Sequence, residues 1–421
     1  LPDKGALAAL LKEGDRHADG VVSALGGIDE IAQAFDALIE WRITTPRPPA
    51  LPPAIAEFIF TAQPDEGALD PELVARAQRL FQGLRFASIA VLACAGLPAC
   101  YAVRGIAAVL TGSGRLVDRV RQRLQDTVFF VSSVMTPGAL SEDGIGRRWI
   151  RKVRLMHAIM RRLALEDPHA HQHRTGDRLA DLLLRKEWKS PDSVPLSQAE
   201  LGYVLLTFSW LVLRGWDRLG ERVDDADARA YILTWAWVGR MLGLRKPMRG
   251  YADDADPVAG AEALFERVRA AREDRVELRA LDGDTNEEGR QLAAALAAVL
   301  VEEQREALLG SLLPAMGPLW RAGINWVLDA MPAYSWRCIA AMPRTTIRLL
   351  VGEDTADDLC ITRAPLLQWL PGRIILAGVP WRGLPLPERP ADAGHEAGRP
   401  ATPRRPRLFE CAPARLTTPA R

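Results

Sequence analysis

Arg147-Arg-Trp-Ile-Arg-Lys-Val-Arg-Leu-Met-His-Ala-Ile-Met-Arg-Arg162 is the stretch on which the reading of this chain turns. Ile150, Val153, His157 and Met160 recur at spacings of three, four and seven, so they share one face of a helix, and that face points into an apolar interior. Seven basic residues, Arg147, Arg148, Arg151, Lys152, Arg154, Arg161 and Arg162, occupy the rest of its circumference. They lie on several sides, which does not make a clean amphipathic anchor.

The same helical period recurs on both sides of this segment. Of 421 residues, 48% are hydrophobic, enough for one large core. Ala and Leu dominate while Val, Ile, Tyr and Phe are sparse, which favours helices over sheets. The expected fold is all-α, with helices near 54–63, 70–84, 86–110, 114–135, 145–165, 176–186, 196–219, 226–244, 257–278, 285–309, 311–331 and 343–359. Asp70-Pro71 ahead of Glu72, Ser197 ahead of Glu200, and Asp284 to Asn286 ahead of Glu287 and Glu288 are helix-start signals. Residues 1–53 read as N-terminal helices and a connector, since Pro46 to Pro53 cannot be helical. Residues 54–380 read as the helical body. Residues 381–421, rich in Pro and Arg with little apolar periodicity, read as a disordered tail.

Composition also excludes functions. Lys+Arg 54 against Asp+Glu 53 leaves a net charge of +1, so global charge does not draw the chain to nucleic acid. The uncharged run Phe86 to Val103 has the length of a membrane span, but Gly96 and Pro98 interrupt it and no flanking charge asymmetry supports insertion. It reads as two short buried helices meeting at Gly-Leu-Pro. Cys94, Cys100, Cys338, Cys360 and Cys411 contain no CxxC pair, which indicates neither a zinc site nor a disulfide framework. Cys94 and Cys100 read as buried free thiols. The first residue, Leu1, leaves room for an export leader removed earlier, so the compartment stays open.

Among six histidines, His169, His171 and His173 lie in HAHQH after Pro168, a polar connector without a convergent Cys or carboxylate. Glu166 and His169 have an ExxH spacing, but a di-iron bundle needs two copies and Pro168 breaks this one. His157 differs because it faces the interior. It suits either a core imidazole bonded to a backbone carbonyl or a single axial ligand to haem iron, with Met residues packed on the porphyrin. On the second reading Arg154 and Arg161, one turn to either side, pair with anionic propionates. No CxxCH is present, so such a haem would not be of the covalent c type.

A second segment, Arg115 to Phe130, places Arg123 and Thr127 four residues apart and therefore on one face. Leu116, Val120, Leu124 and Val131 lie on or beside that face, so Thr127 turns inward and needs a partner, a propionate or a backbone carbonyl. Gly112-x-Gly114 lacks a third glycine and a preceding strand, and is no dinucleotide fingerprint.

Taken in order, RLQDT (Arg123 to Thr127), KVRLMHAIMR (Lys152 to Arg161), Leu196 to Ser209, Trp235-Ala-Trp-Val-Gly239 and Leu242-Gly243 make the chain resemble the latex clearing protein (rubber oxygenase) family and the wider group of MpaB-like haem oxygenases, over residues from about 25 to about 380. The resemblance implies a b-type haem in a globin-like helical core with further helices around it. It implies His157 as the iron ligand, and Arg123 and Thr127 as the candidate catalytic and cofactor-binding residues that support the haem pocket. It further implies a dioxygenase cleaving the double bonds of poly(cis-1,4-isoprene) into oligo-isoprenoids with aldehyde and ketone ends, acting as a secreted or periplasmic monomer. Two departures follow from the same comparison. Where the best-known rubber oxygenases have a Lys that caps the iron, this chain has Asp126, so a lysine-closed resting state is not expected. From Phe86 to Val117 there is no carboxylate to serve as a distal base. The other reading is a helical haem carrier or a lipid-surface protein that uses the basic helix and the Arg-rich tail.

Overall fold

Capping chemistry sets where the helices begin. Asp3 accepts from the backbone N–H of Ala6 and opens α1 (Lys4–Leu11), and Asp15 accepts from His17 and Ala18 and opens α2 (Arg16–Ser23). α3 (Ile28–Glu40) follows, and α4 (Pro53–Phe60) starts on a proline, whose missing N–H costs nothing at that position. Asp70 caps α5 (Pro71–Gly83) as the sequence signals, and a full Ser197–Glu200 capping box opens α12 (Gln198–Phe208). Between them run α6 (Arg85–Val91), a π-turn (Leu92–Gly96), α7 (Leu97–Tyr101), α8 (Arg104–Leu110), α9 (Leu116–Val134), α10 (Ile145–Ala164) and α11 (Leu179–Arg185). α13 (Trp210–Arg218), α14 (Asp225–Met241), α15 (Pro257–Glu273) and α16 (Glu287–Leu312) complete the order. The computed structural model describes residues 1–312 apart from 42, 44–48, 112–115, 177, 189–191, 220 and 274–286, together with residue 351. Among the described residues there is no strand. Asp284 to Asn286, the tail at 381–421 and, residue 351 aside, everything expected beyond residue 312 lie outside them.

Three expected elements take a different form. The 86–103 run is buried, but its halves join through the π-turn at Leu92–Gly96 where the sequence predicts a break at Gly-Leu-Pro. A π-turn absorbs Pro98 because the missing donor falls at the start of α7. Among the described residues no single helix is long and apolar enough to cross a membrane. The expected helix 196–219 is two helices, divided at Ser209, whose φ of −107° and ψ of −85° are not helical. Conversely, Gly310 does not end α16, which continues to Leu312.

α10 lies at the centre, against α2, α3, α4, α9, α11 and α14. Residues 1–41 thus belong to the same unit as the helical body and do not form a separate N-terminal piece. Centrality forces the basic residues of α10 to find partners inside the protein, because a buried unpaired cation is prohibitively costly. Arg151 donates to both Glu66 oxygens (2.5 and 2.9 Å), and Arg147 reaches the same carboxylate at 3.4 Å. Lys152 Nζ donates to the Trp41 carbonyl at 2.6 Å and lies 4.5 Å from the Trp149 ring centroid. Arg161 binds Asp19 and the carbonyls of Pro195 and Leu196. The basic helix is therefore an internal strut, which removes the expected lipid-facing role.

Arg154 corrects a second expectation. It is buried, and its Nε and Nη2 donate to the two oxygens of Asp15 at 2.5 and 3.0 Å. Nη1 and Nη2 donate to Asp65 at 2.9 and 2.6 Å, and Nη1 also approaches the Met241 carbonyl at 3.5 Å. A guanidinium has five N–H donors, and these contacts use them all. Nothing is left for a propionate, so Arg154 leaves the cofactor-binding set. Gly243 turns the chain beside this pair at a left-handed φ of +81°, where a Cβ would collide with Asp15 and come within 2.8 Å of Arg154 Nε. The Leu242-Gly243 motif is thus architectural. Asp15→Ala, which leaves Arg154 with one of its two carboxylates, is expected to lower the unfolding free energy by about 3 kcal/mol in urea titrations.

Candidate functional site

α9 packs against α10 on one side and α16 on another. Its inner face is apolar as the period predicts: Val120, Leu124, Val128 and Val131 are all buried. Arg123 and Thr127, one turn apart, are half-buried at the edge of that face. Opposite, α10 presents Ile150, fully buried, with Val153 and His157 partly accessible and Met160 nearly covered.

His157 is the chemically distinctive group. Part of the residue is reachable, yet Nδ1 is shut off from solvent and has no hydrogen-bond partner among the described residues. The atom-level burial decides its protonation. Burial, reinforced by the positive charges of Arg161 and Arg123, pushes the ring down to about 3, so the imidazole is neutral. α9 and α10 pack against each other, and the charge of Arg123 acts on His157 across that interface. Arg123 Nε is likewise buried with no hydrogen-bond partner among the described residues. A neutral imidazole with a sealed, unpartnered nitrogen, next to a guanidinium with a donor to spare, suits a metal-centred group that carries carboxylates. The chain's residues therefore fit the haem that the sequence suggests. The backbone-carbonyl alternative for His157 finds no such bond among the described residues.

Among the described residues, the histidines of the HAHQH connector do not join it. His171 is buried rather than exposed as the connector reading expects, with Nε2 3.7 Å from Glu166. Glu166, the acid of the ExxH spacing, is taken by Arg162. Among the described residues no group of three or more His, Cys, Asp or Glu could hold a metal ion. Cys94 and Cys100 are free and buried as expected, and burial raises the Cys94 thiol to about 12.

Two features escape sequence reasoning. One is the set of partners for α10: Asp15, Asp19, Asp65 and Glu66 come from short acidic text far away in the chain. Their only signal is indirect, namely seven cations on one helix with too many faces for a surface anchor. The other is Tyr101, which closes the buried uncharged run. It is fully buried, and burial raises its hydroxyl to about 12.

Because His157 is neutral when folded and titrates near 6.5 when unfolded, the unfolded chain binds the extra proton between those limits. Stability of the cofactor-free protein is then expected to fall as pH drops below about 6.5. His157→Leu removes that contribution, so chemical denaturation of the variant between pH 7 and pH 5 should show a shallower pH dependence than the parent.

With this geometry in hand, comparison with known proteins gives a consistent result. The family model for ER-bound oxygenase mpaB/B′/rubber oxygenase, catalytic domain, matches residues 81–370. A solved structure described as latex clearing protein LCP in the closed state superposes with a TM-score of 0.57 at 17% identity, covering 91% of this chain and 87% of that one. No curated protein sequence matches.

Proposed function

Since the chain belongs to the ER-bound oxygenase mpaB/B′/rubber oxygenase catalytic-domain family, we propose that it is a haem b-dependent dioxygenase that cleaves the carbon–carbon double bonds of poly(cis-1,4-isoprene) into oligo-isoprenoids with aldehyde and ketone ends. The observation that carries the haem reading is His157: a neutral imidazole with a sealed, unpartnered Nδ1, beside a guanidinium whose Nε has no hydrogen-bond partner among the described residues. When bound, haem iron would supply the activation of dioxygen, chemistry that no side chain here can perform.

The chain's own residues do the rest. His157 would hold the iron, and its low basicity leaves the ring neutral and available as a ligand near neutral pH. Arg123 would hold a haem carboxylate through charge-assisted donation, and Thr127, one turn on, would donate its hydroxyl to the same region. A guanidinium and an aliphatic hydroxyl serve here as hydrogen-bond donors, so both would support the pocket without carrying out chemistry. The buried face of Val120, Leu124, Val128 and Val131 keeps water out, as an apolar chain substrate and a reactive iron both require. Asp126 has no amine with which to cap a bound haem as a lysine would, so the haem-loaded chain would be open to added imidazole. A polymer too large to enter a cell fits a secreted or periplasmic monomer.

Reconstitution of the full chain with hemin, followed by oxygen uptake on latex and carbonyl detection in the products, tests the reading. A chain that takes up no hemin overturns the cofactor, and a haem-loaded chain inert on polyisoprene but active on a smaller alkene moves the substrate within the family. His157→Ala should lose most bound haem, read from the Soret absorbance per protein, whereas replacing His169, His171 and His173 together should leave it intact. Thr127→Val, which keeps the shape but strands a buried acceptor, should weaken haem retention by about 1 to 3 kcal/mol, with turnover per retained haem close to the parent.

A further inference from the structure

Trp149, near the start of α10, is buried, and its indole Nε1 has no hydrogen-bond partner among the described residues. It shares that condition with Arg123 Nε on α9 and His157 Nδ1 on α10. A buried indole N–H ordinarily meets an acceptor, because its lost hydration is otherwise uncompensated. The proposed function does not use this one.

Packing places the side chain in the seam between the two helices. Its ring meets Phe129 of α9 with centroids 5.1 Å apart and planes tilted by 58°. Lys152, one turn along α10, sets its ammonium 4.5 Å from the Trp149 ring centroid while donating to the Trp41 carbonyl. These contacts use the ring's π-system and apolar surface, and neither engages the N–H. Trp210, Trp216 and Trp235 also have unpartnered N–H groups, but their rings pack with Phe265, Tyr231 and Phe208 on α15, α14 and α12.

Phe129 lies near the end of α9 and Trp149 near the start of α10, and the two packed helices are joined by residues 135–144. They therefore form an antiparallel hairpin with the aromatic pair beside its turn. Trp149, Val153 and His157 follow at spacings of four and eight on one side of α10. Trp149 is covered, whereas Val153 and His157 are partly accessible. The seam is thus closed by the aromatic pair at the turn and accessible further along, at His157, about 12 Å away along the helix axis. A haem is a flat disc with its iron at the centre and its carboxylates on the rim, so a carboxylate donor belongs along the seam from the iron ligand and not next to it. An indole N–H donates and never accepts, which suits it to a carboxylate oxygen.

We propose that Trp149 is a further cofactor-binding residue: its indole N–H, held in the α9–α10 seam by Phe129 and Lys152, donates to a rim carboxylate of the haem that His157 ligates. The proposal rests on the haem reading above and adds to it a donor outside the motifs that carry the family resemblance. A tryptophan kept only for packing works through its ring and is indifferent to the charge on the porphyrin rim.

The full chain, freed of cofactor, is titrated with hemin and with iron etioporphyrin, an iron porphyrin without carboxylates, as the parent and as Trp149→Phe. The variant keeps an aromatic ring between Phe129 and Lys152 and removes the N–H. Its hemin affinity should fall about five- to tenfold, the loss of one hydrogen bond to a charged group. Its affinity for iron etioporphyrin should stay close to that of the parent. The ratio of the two affinities decides, since a packing loss acts on both porphyrins alike and cancels. Equal losses for the two, or no loss for either, overturn the proposal while leaving the haem reading intact. A parent chain that binds no hemin overturns both. Should Trp149→Phe fail to fold, Trp149→Leu, which also lacks the N–H, is read through the same ratio.

Discussion

The structure depends on the burial of a cationic helix. α10 runs through the middle of the protein, so each guanidinium on it must be neutralised by a carboxylate or by carbonyls from another element. Arg154 joins Asp15 at the start of α2 to Asp65 in the loop before α5, and Arg151 and Arg147 converge on Glu66 one residue later. These pairs contribute modest net stability, since desolvation offsets much of the Coulomb attraction, but they leave few alternatives for where the N-terminal helices can dock. Burial on its own would raise the Asp65 carboxyl, yet the hydrogen bond and charge of Arg154, with help from His17, hold it below its ordinary value. The Arg154–Asp65 pair therefore stabilises the fold at neutral pH and loses that contribution only as the pH falls into the carboxylate range.

The same constraint shapes the candidate site. Once Arg151, Arg154 and Arg161 are committed to carboxylates and carbonyls, the face of α10 that carries His157 has no charged partner of its own. What reaches His157 is residual positive potential from Arg161 and Arg123, and that potential, added to burial, keeps the imidazole neutral. A carboxylate near His157 would have raised its pKa; the acids Asp15, Asp19, Asp65 and Glu66 that meet α10 are instead each paired with one of its arginines. The electrostatics that hold the core together thus also favour the neutral form of the His157 imidazole.

Much of this was legible from residue spacing, and the failures have physical causes. The helical period located most of the elements, because an amphipathic face leaves the same trace whatever the tertiary structure. Asp70 and the Ser197–Glu200 box marked their helix starts because a cap is a local interaction. Ser209 and the π-turn at Leu92–Gly96 were missed because both bends are imposed by neighbours: α12, α13 and the π-turn pack on one another, and apolar periodicity does not register a bend of this kind. Arg154 was placed at the cofactor because spacing alone put it one turn from His157. Its partners lie 139 and 89 residues away, a separation that no local pattern encodes. Position 157 itself was readable because one imidazole on an otherwise apolar stripe is conspicuous.

The motifs of this family consequently divide by physical role. Gly239 lets α14 pack against Leu205 and Leu244, Gly243 admits the Arg154–Asp15 pair, and the Ser197–Glu200 box starts α12, so these preserve architecture. Arg123 and His157 are among the residues with a buried polar atom that has no hydrogen-bond partner among the described residues, and Thr127 stands partly exposed one turn from Arg123. Asp126, next to Thr127 on the same helix, is partly exposed. This edge of α9 meets solvent on one side and the buried face of Val120, Leu124 and Val128 on the other, so a substitution there can alter the polar groups at the site while the buried frame stays constant.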